Sequence, residues 1–231
     1  MLIALVSSLF TVATPTGATE NIRVSPAKVA QEHVARGSRA LQAGKLREGC
    51  FEYSSAVRVL PNWWIPYEEY VRCSRLLGTE PSKLIQELQH ILSVDTQRHS
   101  LHTLLAALYE DTGEMDKAIQ TYRKALVIAP WYVPATLALG RSLASSNRHQ
   151  EAYAALSTAL DLRPGNMQLE MGLVETCKAL GRTAEAIQLL EGLANRSSRP
   201  SAIYAQLAIL YEEAGDAQGR ARALMKLRRY R

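Results

Sequence analysis

The sequence predicts an all-α chain of about six antiparallel helix pairs stacked one after another. Three observations carry that expectation. First, Gly44, Gly78, Gly113, Gly181 and Gly215 recur every 34 residues, with one extra residue between Gly78 and Gly113, and Asn147 fills the vacant place in the series. Glycine and asparagine tolerate the left-handed backbone that follows a helix end, so their fixed spacing marks one recurring stop. Second, Leu105, Leu139, Leu173 and Leu207 form a column with the same period, and Tyr109, Leu143, Cys177 and Tyr211 form another one helical turn later. After the stops come Ala118, Ala152 and Ala186, then Tyr122, Leu156, Leu190 and Leu224, then Ala125 and Ala159. Steps of this kind place each set on one helical face. Third, Pro61, Pro130 and Pro164 close units, because proline cannot continue a helix. One short helix pair cannot bury both of its apolar faces, whereas a stack of such pairs can.

The elements follow in chain order. Leu2 to Ala13 is an uncharged apolar run. It is shorter than the roughly 20 residues needed to span a bilayer core. Thr16 and Ala18 supply the small residues that precede a signal-peptidase cut. Residues 1–18 are therefore read as a signal peptide and 19–29 as a linker, with an exported, periplasmic or secreted location; a cytoplasmic protein is the alternative. Unit 30–63 carries Gly37, Ala40, Gly44, Tyr53, Ala56 and Pro61, and unit 64–98 carries Tyr67, Tyr70, Gly78 and Pro81, the last opening a helix. Unit 99–132 is the clearest, with GEMDKAIQTYRKALVIAP as its second half. Unit 133–166 adds Leu139, Gly140, Leu143, Ala152, Leu156, Ala159 and Pro164. Unit 167–200 keeps Leu173, Gly181, Ala186 and Leu190, and unit 201–231 keeps Tyr204, Leu207, Ala208, Tyr211 and Gly215.

These residues resemble the tetratricopeptide repeat family over residues 30 to 231. Lys83 stands where the family prefers a small residue. The resemblance implies a right-handed superhelical solenoid in which the first helix of each pair lines a concave face that holds peptides or helices of partner proteins. Carried onto this chain, that face presents Glu68, Arg72 and Arg75; Thr103, Ala107 and Glu110; Leu137, Arg141 and Ala144; Gln168, Met171, Glu175 and Lys178; and Ala205, Ile209 and Glu212. Arginines there suit carboxylates of a ligand, and Leu137, Met171 and Ile209 suit an apolar side chain; an ordinary solvated face is the alternative. One subset of the family grips a C-terminal carboxylate with Lys and Asn. The comparable places here hold Val34, Ser38 and Glu69, so that mode is not expected.

Composition narrows the classes. Apolar residues at 47% suffice for a continuous core, and a net charge of +5 with pI near 9.2 does not by itself call for nucleic acid. Three cysteines make no disulfide framework; Cys50 and Cys73 fall near enough in a stack to bridge, and three buried thiols is the other reading. His99 and His102, with His90 nearby, share a helix face but lack a marked third ligand, so no metal or cofactor is expected. No GxSxG, P-loop, HExxH or dinucleotide-binding turn occurs, so no enzyme is expected. Trp63, Trp64 and Trp131 stand at unit junctions, as wedges or as an aromatic patch. Arg220, Arg222, Lys226, Arg228, Arg229 and Arg231 make a basic last helix, a polar cap for the stack.

The function expected is thus a non-enzymatic scaffold binding another protein or peptide segment, without a stable membrane span. A self-assembling homo-oligomeric array is the first alternative. The second is a protein that associates with envelope polysaccharide or membrane through the basic last helix.

Overall fold

The computed structural model describes residues 25–61, 63 and 65–230. The signal-peptide reading at 1–18 and most of the linker reading lie outside the described residues, as do Trp64 and Arg231. Among the described residues there are twelve α-helices and no strand. They are α1 Pro26–Gln42, α2 Leu46–Val59, α3 Ile65–Leu76, α4 Pro81–Val94, α5 His99–Asp111, α6 Met115–Ile128, α7 Val133–Ser145, α8 His149–Leu162, α9 Met167–Ala179, α10 Thr183–Arg196, α11 Ser201–Glu213 and α12 Ala217–Arg229. The chain divides between Glu80 and Pro81 into two compact units, each taken by itself below.

In the first unit, α1 starts earlier than the sequence suggests. The Ser25 hydroxyl accepts the Lys28 N–H at 3.3 Å, and Pro26 opens the helix with a preset φ. Residues 26–29, read as linker, are therefore helical. The α1–α2 pair is held close by two glycines that leave no room for a side chain. A Cβ on Gly37 would stand 2.9 Å from Tyr53 Cε2, and one on Gly49 would stand 2.5 Å from Leu41 Cδ2. Across the same pair, Glu52 receives His33 Nδ1 at 2.7 Å and Arg36 Nε at 3.0 Å. Burial pushes the Glu52 carboxyl up, but those bonds outweigh it, and the group sits below its usual range. Cys50 and Cys73 are buried free thiols where α2 meets α3, and Cys50 Sγ lies 3.3 Å from Ser74 Oγ.

In the second unit, α5, α7, α9 and α11 begin at His99, Val133, Met167 and Ser201, so the helix pairs repeat every 34 residues. The helices of each pair pack on one another, and the second helix of each pair packs on the first helix of the next. The columns read from the sequence are buried: Leu105, Leu139, Leu173 and Leu207; Tyr109, Leu143, Cys177 and Tyr211; Ala118, Ala152 and Ala186; Tyr122, Leu156 and Leu190. Asn147, which replaces glycine in the stop series, has φ 57°, the left-handed conformation that its place in the period requires. Tyrosine hydroxyls tie helices together: Tyr153 to Glu185 at 2.5 Å and Tyr211 to Glu191 at 2.6 Å. Cys177 is a buried thiol pushed up to about 11 by burial and by the neighbouring Glu185 carboxylate.

Two helices depart from the columns by one residue. In α4 the buried positions are Leu84, Ile85, Leu88 and Leu92. Lys83 points outward and no small residue is needed at its place. The extra residue between Gly78 and Gly113 accompanies this turn of the helix. In α12 the buried positions are Gly219 and Ala223, and Leu224, expected in the core, is 38% exposed. A Cβ on Gly219 would stand 2.4 Å from Tyr211 Cδ1, so α12 leans its glycine side against α11 and rotates Leu224 outward. The basic face of α12 is solvated, with Arg220 reaching Glu212 at 3.3 Å and Lys226 over the Tyr204 ring at 5.3 Å. Trp131 is 54% exposed and does not wedge between pairs; Trp63 is partly buried. Among the described residues no helix is long and apolar enough to cross a membrane.

Candidate partner-binding pocket

Along the first-helix side of the second unit, α5 meets α7 and α7 meets α9. A concavity of about 320 Å³ lies on this side between α7 and α9. The local sequences explain why it is open there. Both helices keep their core columns, so Leu139, Leu143, Leu173 and Cys177 fix the stack. The residues facing across the junction are then small: Gly140 and Ala144 on α7, Gly172 and Ala179 on α9. A Cβ on Gly140 would stand 3.2 Å from Leu156 Cδ1, and one on Gly172 would stand 3.1 Å from Leu156 Cδ2. The two glycines thus form a window through which the Leu156 side chain, rising from α8, supplies the floor. Leu137 and Met171 make apolar walls, and Gln168, Arg141 and Glu175 stand at the rim.

The rim charges are unequal. Glu175 is paired with Lys178 one turn later, at 3.0 Å. Arg141 is exposed and has no hydrogen bond or ion pair among the described residues. Thr176 is buried and returns its hydroxyl to the Gly172 carbonyl at 2.8 Å, so it is satisfied within its helix. The pocket is an apolar slot with one uncompensated guanidinium beside it. It holds no convergent acid–base pair of the kind that general acid–base chemistry needs.

Of the sixteen candidate residues, Leu137, Arg141, Ala144, Gln168, Met171 and Glu175 line this one pocket, with Lys178 next to it as the Glu175 partner. Ile209 is exposed on α11 outside the pocket, and Glu212 there pairs with Arg220. Glu68, Arg72 and Arg75 sit on α3 in the first unit. Glu68 is exposed, Arg72 is joined to Glu69, and Arg75 is engaged as well. Glu110 is a structural group: its carboxylate accepts the Tyr122 hydroxyl at 3.1 Å and the Ser142 hydroxyl, tying α5 to α6 and α7. Those two bonds hold the carboxylate against its own stack rather than leaving it free to turn toward a ligand.

Sequence reasoning missed Gly140 and Gly172 as site residues. They are 32 residues apart, out of step with the 34-residue period, and the only signal was glycine inside two otherwise regular helices. It also missed a smaller cleft of about 190 Å³ between α10 and α12, lined by Glu191, Tyr204, Tyr211, Arg222 and Lys226. There burial, with the Glu191 hydrogen bond, pushes the Tyr211 phenol up to about 12. The histidines have local roles. His99 meets the Tyr132 ring edge-on at 4.7 Å, and His102 Nε2 lies 3.0 Å from the Thr96 carbonyl.

Family comparison matches residues 101–132 and 143–207 to the tetratricopeptide repeat. Among curated proteins, the peroxisomal targeting signal receptor of Candida albicans is 38% identical over 90 residues, covering 38% of this chain and 15% of that protein. A small glutamine-rich tetratricopeptide repeat-containing protein of Mycosarcoma maydis is 32% identical over 81 residues, 35% of this chain and 23% of that one. The chain therefore spans less than a quarter of these relatives. Among solved structures, PilW, a type IV pilus biogenesis factor, superposes with a TM-score of 0.68 at 15% identity, covering 87% of this chain and 92% of that one. A tetratricopeptide repeat protein from Parabacteroides merdae gives 0.63 at 18%, covering 88% and 80%. YrrB, described as having an unusual peptide-binding site, gives 0.58 at 14%, covering 76% and 90%. At these identities the likeness shows the fold alone.

Proposed function

From the premise that this chain belongs to the tetratricopeptide repeat family, we propose that it is a non-enzymatic scaffold that holds a segment of a partner protein on its first-helix face, outside the cytoplasm. The fold typically serves protein–protein interaction, and the observation that carries the reading here is the α7–α9 pocket. A rigid stack with a preformed apolar slot loses little conformational freedom on binding, so the partner segment bears most of the ordering cost. The likeness to YrrB, with its peptide-binding site, supports a peptide or chain segment as the ligand. PilW is a type IV pilus biogenesis factor, and an assembly role of that kind fits the scaffold reading. Export rests on the apolar run from Leu2 to Ala13 and the small residues after it.

Two measurements test this. Crosslinking and affinity capture of the protein in its own compartment should place partner crosslinks on α5, α7, α9 and α11. A crosslink map confined to α8, α10 and α12 would overturn the first-helix face as the binding surface. The N-terminus of the mature protein should begin near residue 19, and an intact Met1 in a cytoplasmic fraction would overturn export.

A further inference from the structure

Resting on that reading, we infer that the α7–α9 pocket is an anchor site for one bulky apolar side chain of the partner segment, leucine, methionine or phenylalanine in size, and that Arg141 takes a carboxylate lying next to that anchor in the partner. The partner is thus a protein segment carrying an apolar–acidic pair of neighbours.

The argument starts from what differs along the stack. One period earlier than Gly140 and Gly172, the equivalent places hold Ala106 and Ala138. One period later they hold Val174 and Gln206. Only at α7–α9 do both places lack a Cβ, and there the cross-junction gap reaches down to Leu156. The slot of about 320 Å³ is walled and floored by aliphatic groups, which reward an apolar side chain for leaving water. At the rim the Glu175 charge is already balanced by Lys178, and Arg141 is not balanced. The net field at the mouth is therefore positive. A guanidinium beside an apolar surface binds a carboxylate through paired N–H donors, more strongly than in open water because the anchor excludes solvent around it. A basic neighbour in the ligand would meet like charge.

The test uses the mature full-length chain with 13C-labelled leucine and methionine methyls. The probes are four synthetic 12-residue peptides in an alanine–serine–glycine host, with Leu-Asp, Phe-Asp, Leu-Lys or Ser-Asp at the centre. Titration to about 2 mM suits the weak affinity of a single anchor. The Leu-Asp and Phe-Asp peptides should shift the Leu156, Leu137 and Met171 methyl signals saturably. The Leu-Lys peptide should bind about two- to fivefold more weakly, the range of a partly exposed ion pair, and the Ser-Asp peptide should leave those methyls unmoved. Arg141→Glu should invert the preference between the Asp and Lys peptides. Ala144→Leu should fill the slot and abolish the methyl shifts while thermal melting stays within a few degrees of the parent.

Equal shifts for the Ser-Asp and Leu-Asp peptides, an Arg141→Glu protein with unchanged preference, or no shift with any probe would each overturn the inference. Saturable self-association at the same methyls, seen on diluting the free protein, would replace a partner segment with a second copy of this chain. Failure here is separable from failure of the scaffold reading. If partner crosslinks fall on the first-helix face while Ala144→Leu leaves partner affinity unchanged, the scaffold stands and the anchor pocket is dropped. If crosslinks avoid that face, both fall.

Discussion

The α7–α9 and α9–α11 junctions are built from the same columns one period apart, yet they present opposite surfaces. At α7–α9 the facing pair is Gly140 and Gly172, and the leucine beneath them, Leu156, floors an open slot. At α9–α11 the equivalent places carry Val174, fully buried, and Gln206, and the equivalent leucine, Leu190, is sealed in a core cluster with Val174, Cys177, Leu207 and Tyr211. The periodic residues decide that the helices stack. The positions between the columns, Gly140 and Gly172 against Val174 and Gln206 among them, distinguish the open junction from the sealed one.

The strongest way to break that contrast is to open the sealed junction. Val174→Gly should cost about 3–4 kcal/mol, the sum of a buried aliphatic deletion and a helix-interior glycine. Urea denaturation reads this, and a loss under about 1 kcal/mol would mean that Val174 does not seal the junction. The next largest effect compares the two leucines directly. Leu190→Ala leaves an enclosed void and should cost about 4 kcal/mol, whereas Leu156→Ala, at a site already open on one side, should cost about 2 kcal/mol. Equal losses would mean that the α7–α9 slot is closed in solution. Smaller still is Gly172→Ala. The helix gains roughly 0.5–1 kcal/mol of intrinsic preference, against a contact at 3.1 Å from Leu156 Cδ2. That methyl borders the slot and has room to move, so a net gain of about 0.5 kcal/mol is expected. A loss above about 1 kcal/mol would show the Leu156 side chain to be locked.

The stack was legible because its signals are local and repeated. Asn147 was placed at a helix stop by its spacing alone, and its φ of 57° agrees. The rotations of α4 and α12 were not legible, because each is set by how a helix leans on its neighbour. Gly219 against Tyr211 is such a contact, and it turned Leu224 from a core position to an exposed one. For the candidate site, helix phase identified Leu137, Arg141, Met171 and Glu175 as facing one way. It could not show that Tyr122 and Ser142, 12 and 32 residues away in sequence, would occupy Glu110. Nor could it show that two glycines out of step with the period would meet over one leucine.

The second helices carry a contrast of their own, between the step behind the α7–α9 slot and the step before it. The α8–α10 step, behind the slot, is joined by the Tyr153 hydroxyl on Glu185, with the Arg182 guanidinium 4.4 Å from the tyrosine ring centre. The α6–α8 step is joined by ions: Glu151 holds Arg123 at 2.5 Å and Arg148 at 2.7 Å. The Arg148 hydrogen bond, with that of Arg123, holds the Glu151 carboxyl down at about 2, against an ordinary value of 4.5. A folded pKa below the unfolded one means that the contribution is complete above about 4.5. It is lost as pH falls toward 2, because the unfolded chain takes up the proton first. The pair is solvent-exposed, so the effect is small and salt-sensitive. Glu151→Gln should therefore flatten the fall in melting temperature between pH 5 and pH 2, and Glu151→Gln and its parent should converge near pH 2. An acid limb unchanged by Glu151→Gln at low salt would show that the α6–α8 step does not depend on these ions.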